Sequence, residues 1–177
     1  MKGSTKYQVF SKKPGKFPKD LYEDVSKVSQ ELLAYMDTKS FRSKVEAVHK
    51  LNGTSREIQA LLTKKLEKLG FGSEKRGLFW DCQVPGTTPD FYVKIGKSGI
   101  LIEVERGKTI ANNMDILDIW KCHLCDKADF LFLIVPCVRV SQNGKPIKVF
   151  ERVSKRIDTF FNPANYVNVE AVHLFGY

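Results

Sequence analysis

The chain has 177 residues, 42% of them hydrophobic and 28% charged, which suits one soluble domain with a sizeable core. Lys and Arg outnumber Asp and Glu by 29 to 20, giving a net charge of +9; an excess of this size fits a polyanionic partner, nucleic acid first, although a solvated basic surface gives the same count. The longest apolar run, Phe130 to Val135, is too short to span a bilayer and the opening residues hold no apolar signal core, so no membrane is expected and a cytoplasmic location is.

Residues 1–17 are basic and include Pro14 and two glycines, which predicts a tail or a loosely docked arm. From Pro18, Leu21, Val25, Val28, Leu32 and Met36 recur at helical spacing. A shorter helix is predicted from Ser40 to about His49, broken by Leu51-Asn52-Gly53. Thr54 and Glu57 form a capping-box pattern opening a helix with Ile58, Leu61, Leu62, Leu66 and Leu69 on one face, stopped by Gly70. Strands are predicted over 77–84, 90–95 and 100–105, then a helix over 112–125 whose apolar stripe is Ile116, Leu117, Trp120 and Leu124. Residues 130–135 suit a strand buried on both faces, Asn143-Gly144-Lys145 a turn, Phe150 to Phe161 a helix, and Tyr166 to Phe175 a closing strand. The order helix, three strands, helix, strand, helix, strand implies one α/β domain over 1–177, with a mixed sheet, helices on both faces, and the basic arm and helices at 1–50 in front of its core.

The strand pair carries the chemistry. With Lys97 and Ser98 at the tip of a two-residue turn, Tyr92 faces Glu103 and Asp90 faces Glu105. Alternation then puts Asp90, Tyr92, Lys94, Leu101, Glu103 and Glu105 on one face, and Phe91, Val93, Ile95, Ile100, Ile102 and Val104 on the other, wholly apolar, face. Three carboxylates this close repel one another unless a cation or a proton sits between them. Hard oxygen ligands in such a set suit Mg²⁺, with Mn²⁺ as a substitute, and the alternative is an inert, solvated acidic edge.

Pro89-Asp90, twelve residues, then Glu103-Val104-Glu105 resembles the signature of the PD-(D/E)XK nuclease superfamily. The usual last position of that motif is Lys; Glu105 stands there instead, a departure shared by some type II restriction endonucleases. The predicted element order is similar to the restriction-endonuclease-like core, and the resemblance covers about residues 54–136. It implies a Mg²⁺-dependent endonuclease acting on double-stranded DNA, working as a homodimer with two active sites for two strands. Asp90 and Glu103 would hold the metal with the Val104 carbonyl, and Glu105 would orient or deprotonate the attacking water. A structure-specific or repair nuclease of the same fold, and a non-catalytic DNA-binding module, stay open beside it.

Other residues have two readings each. Glu57 is either a helix cap or a fourth acid at the metal. Arg106 and Lys108 either touch the scissile phosphate or are ordinary basic residues, with Lys108 the better replacement for the missing motif Lys. Asn112 and Asn113 either cap the next helix or contact DNA. Cys122, His123 and Cys125 have a zinc-like spacing, with Cys82 and Cys137 elsewhere, but Cys122 and Cys125 fall within a regular helix, where small core residues are the simpler reading.

Overall fold

The computed structural model describes residues 5–50, 53–73, 88–141 and 143–177. Among them are a six-stranded mixed sheet and five helices. In chain order these are β1 (Lys6–Ser11), α1 (Lys19–Met36), α2 (Lys39–Val48), α3 (Ser55–Lys68), β2 (Gly72–Ser73), β3 (Phe91–Ile95), β4 (Ser98–Val104), α4 (Met114–Leu124), β5 (Phe130–Val135), β6 (Val138–Val140), β7 (Pro146–Lys148), α5 (Val149–Phe160) and β8 (Ala171–Gly176). The sheet runs β1-β8-β5-β4-β3-β2, and β6 with β7 forms a separate hairpin. The predicted strand over 77–84 lies outside the described residues.

The three central strands β4, β5 and β8 are parallel, joined by crossovers through α4 and α5. Every residue of the three is buried, as continuous apolar runs between two helical layers require. Helices α1, α2 and α3 pack on one face through Val25, Leu32, Phe41, Ile58, Leu62 and Leu66, meeting Ile100, Ile102, Phe130 and Phe132. Helices α4 and α5 cover the other face through Ile119, Val153 and Ile157, meeting Leu101, Leu131, Leu133 and Leu174. The expected capping box opens α3, and Pro18 occupies the N-cap of α1. No described helix is long and apolar enough to cross a membrane.

Two expectations are corrected. The N-terminal segment is not a loose arm: β1 pairs antiparallel with β8 from Lys6↔Gly176 to Ser11↔Ala171, burying Phe10. The turn after it is tied down by Glu170, whose buried carboxylate accepts from Lys16 N (2.9 Å), Tyr22 Oη (2.7 Å) and Lys12 Nζ (3.3 Å). Composition marked residues 1–17 as polar and basic, but alternate residues and one buried acid suffice to fasten residues 6–16.

The second correction concerns α4. The expected apolar stripe points outward: Leu117 is 48% exposed, Trp120 46% and Leu124 49%. The inner face carries Asp115, Asp118, Ile119 and Cys122. Its acids find partners there, Asp115 with Arg156 Nη1 at 3.0 Å and Asp118 with Lys121 Nζ at 3.3 Å. Ile119→Ala should therefore cost about 2–5 kcal/mol in urea denaturation, whereas Leu124→Ala should stay within about 0.5 kcal/mol of wild type; the reverse ranking would restore the outward stripe to the core.

Candidate active site

The β3–β4 hairpin keeps the expected faces but shifts its register. Ile95 pairs with Ser98 and Phe91 with Ile102, so the turn is Gly96-Lys97, with Gly96 at φ 54°. Ser98 is drawn into the strand because its hydroxyl donates to Asp129 Oδ2 (2.6 Å) and accepts from Asp129 N (3.1 Å). Gly99 serves close packing, since a Cβ there would lie 2.6 Å from the Lys127 carbonyl and collide with the Tyr92 ring. The shift is two residues, so every side chain keeps its face. Its effect is on the acids: extending the register by one residue sets Asp90 opposite Glu103, not Glu105.

The Asp90 carboxylate accepts from Val104 N at 2.8 Å, across the end of β3. Amide and carbonyl of one strand residue point to the same side, so the Val104 carbonyl points to the same edge of β4 as its amide. Glu103 is 3% exposed, and its Oε1 lies 3.0 Å from Lys121 Nζ. Lys121 reaches in from α4 and also pairs with Asp118, which is fully buried. Asp90, Glu103, Glu105 and Asp118 thus share one field with the Lys121 ammonium.

The protonation equilibria report that crowding. Burial, then the Asp118 charge, pushes the Glu103 carboxyl well above the usual range. The same two causes push Glu105 to about 8, partly offset by Lys121 and the nearby Thr109 hydroxyl. Burial raises Asp118 to about 7 against the pull of Lys121, with Asp90 and Asp115 adding to the rise. For Lys121, burial lowers the pKa but Glu103 and Asp118 outweigh it, so it stays a cation. At neutral pH the cluster carries fewer charges than its formal count.

Glu105 ends the motif at the rim. Its amide donates to the Ile134 carbonyl (2.8 Å), and its own carbonyl accepts from Tyr177 Oη (2.9 Å), so two strands hold its backbone. It lines a cleft of about 1270 Å³ whose walls include Arg42, His49, Lys50, Lys108 and Arg139. Lys108 is exposed there, and Asn112 lines the same cleft. Asn113 occupies the α4 N-cap in a left-handed conformation without a side-chain capping bond. Arg106 is buried, and its guanidinium donates to the carbonyls of Val48 (3.1 Å) and Lys50, bracing the segment before α3. Glu57 takes the capping reading: its Oε2 accepts from Thr54 N at 2.7 Å, and the charge acting most on Glu103 and Glu105 is that of Asp118. Cys122 is a buried core thiol, Cys125 and Cys137 are half-buried, the His123 ring accepts from Asn168 N (2.7 Å), and Cys82 lies outside the described residues.

Asp118 and Lys121 are the site residues that the motif did not supply. Their signal was Asp115, Asp118 and Lys121 at steps of three, a charged line on the helix directly after the acidic strand. The all-oxygen donor set, with Asp118 Oδ2 buried and lacking a hydrogen-bond partner, fits a hard divalent cation in chemistry. As the side chains stand, no three His, Cys, Asp or Glu among the described residues form a metal-holding set, and Lys121 supplies the counter-charge. Comparison of the chain with family models, with curated proteins and with solved structures finds no match.

A carboxyl whose folded pKa is raised binds protons more tightly folded than unfolded, so its contribution to stability is present below its unfolded pKa near 4.3 and is lost as pH rises through the folded value. For Glu105 that window runs from about pH 4 to about 8. Glu105→Gln removes it. Measured against wild type by thermal unfolding, the variant should gain stability between about pH 4 and about 8 and level off above that; a difference independent of pH would mean that Glu105 is not electrostatically strained.

Proposed function

We propose that this chain is a Mg²⁺-dependent DNA endonuclease built on a restriction-endonuclease-like core. The observation that carries the reading is the packing of Asp90, Glu103, Glu105 and Asp118 into one electrostatic unit at the end of β4, beside a cleft with basic walls. A carboxylate set under mutual repulsion is held together in the fold only at a cost, and a cation relieves it. Support also comes from the six-stranded mixed sheet, in which β3, β4, α4 and β5 follow one another in the chain, while the strand expected over 77–84 lies outside the described residues.

Asp90 and Glu103 would hold the metal, with the Val104 carbonyl beside them. The metal supplies Lewis acidity at the phosphate and a lowered pKa for the attacking water. Glu105 takes the water's proton when ionised, so the rate rises with pH through its pKa. Lys121 brings from α4 the ammonium that the last motif position brings in other superfamily members, which moves this role away from Lys108. Lys108, Arg42 and Lys50 hold the DNA backbone on the cleft wall, giving salt-dependent binding. Restriction-type double-strand cleavage would need two such sites in a homodimer on one palindrome. A second reading, a DNA-binding module without catalysis, draws on the Lys121 Nζ seated at 3.0 Å from Glu103, where it already neutralises the acid.

Plasmid cleavage with Mg²⁺ separates these. Wild type should convert supercoiled DNA to nicked and linear forms, and Asp90→Asn or Glu103→Gln should abolish this with unchanged circular dichroism. Glu105→Gln should slow single-turnover cleavage by about a hundredfold or more, as loss of a general base does. Cutting at the wild-type rate in Asp90→Asn would overturn the site, and DNA binding without cleavage by wild type would select the second reading. Independently of activity, Mg²⁺ should raise the melting temperature more at pH 8 than at pH 5, because it competes with the protons held by these carboxyls.

A further inference from the structure

Next to the main cleft lies a smaller cavity of about 170 Å³, formed by the β4–α4 loop, the β6–β7 hairpin and the first turns of α5. Arg106, Arg139 and Arg152 line it with Gly107, Thr109 and Ile147, and no carboxylate is among its walls. Among the described residues no acid stands within ion-pair distance of Arg139 or Arg152. The Arg106 side chain is 5% exposed, and although one of its terminal nitrogens donates to main-chain carbonyls, Nε is buried with no hydrogen-bond partner. Three arginines thus line a space with no carboxylate among its described walls.

We propose that this cavity is a phosphate-monoester site that receives the terminal phosphate of a nucleic-acid strand. Guanidinium forks match phosphate oxygens bidentately. Three cations with no acid among the described walls favour a dianion over the singly charged diester of a chain interior. The volume is well below the roughly 300 Å³ at which pockets hold drug-sized ligands, so a phosphoryl group fits and a nucleoside does not. Arg106, Gly107 and Arg139 line this cavity and the main cleft alike. A strand anchored here by its end therefore continues along the wall on which Glu105 stands. As a statement about substrate this rests on the nuclease reading: the favoured DNA carries a phosphorylated end, or a nick, within reach of the cleft.

Two variants empty the site without touching the acidic cluster. Arg139→Gln with Arg152→Gln removes the two accessible guanidinium groups. Gly107→Glu places a carboxylate where a Cβ meets no heavy atom within 4 Å, so it should fold. Titration calorimetry with inorganic phosphate, in EDTA and at fixed ionic strength, should show saturable binding by wild type, weakened about tenfold or more in both variants, as loss of charge-assisted hydrogen bonds predicts. Under the same conditions, labelled oligonucleotides ending in 5′-phosphate, 3′-phosphate or hydroxyl should separate, one phosphorylated form binding about tenfold tighter and the advantage vanishing in the variants. Phosphate binding with equal affinity for all oligonucleotides would overturn the strand-end assignment in favour of free phosphate. No phosphate binding, or equal binding by the variants, would overturn the site itself. Because nothing here is read from cleavage, failure of the nuclease reading would leave phosphate binding intact, and failure of the phosphate site would leave plasmid cleavage intact.

Discussion

The ammonium of Lys121, 3.0 Å from Glu103 and 3.3 Å from Asp118, is the contact on which the active face of this fold depends. Both acids are almost wholly removed from water, and each alone would be held in the fold only as a neutral acid. One cation between them lets the sheet carry a buried acid at the end of a central parallel strand. Truncating one partner of such a buried pair typically costs about 3–5 kcal/mol, because the remaining charge is stranded. The same contact sets the rotation of α4. Lys121 and Asp118 must face the sheet, so Asp115, Ile119 and Cys122 follow them inward and Leu117, Trp120 and Leu124 turn out.

That ordering of forces explains what could be foreseen from the residues. Apolar alternation on the hairpin separated the acidic face from the core face correctly, because a two-residue period has few competitors. The register was not recoverable from it. Gly96, Ser98 and Gly99 all look like turn residues, and only the long-range bonds of Ser98 to Asp129 decide which of them turns. The capping box of α3 was legible for the opposite reason, since its donors and acceptors lie within four residues. Helix α4 misled because periodicity weighs apolar side chains and gives no weight to an acid waiting on the strand that the helix will cover. Strand β1 was masked by its charges, of which only alternate ones need a place inside.

The acidic cluster and the basic walls divide the labour of one surface. Carboxylates are recessed at the strand ends, where burial magnifies their mutual field, and the cations stand on α2, the β4–α4 loop and β6, where they reach solvent. Arg106 joins the two. It follows the motif directly, yet its guanidinium is occupied by the Val48 and Lys50 carbonyls, so it positions the wall between the acids and α3. The basic excess of the composition is thus concentrated in part where a polyanion would meet the carboxylates, an arrangement that holds opposite charges apart until a ligand bridges them.

The outward-facing stripe of α4 has a further consequence for the shape of the energy landscape. A helix with one apolar and one charged face has two ways to lie on a sheet, and here the apolar way is the discarded one. The element is locally frustrated: hydrophobic burial favours turning it over, and the ion pairs of Lys121 and Arg156 oppose the turn. Rolled about its own axis, α4 would bury Trp120 and withdraw the ammonium from Glu103. Orientation of this helix and the charge balance of the acidic cluster therefore rest on the same contacts, and conditions that weaken ion pairing press on both at once.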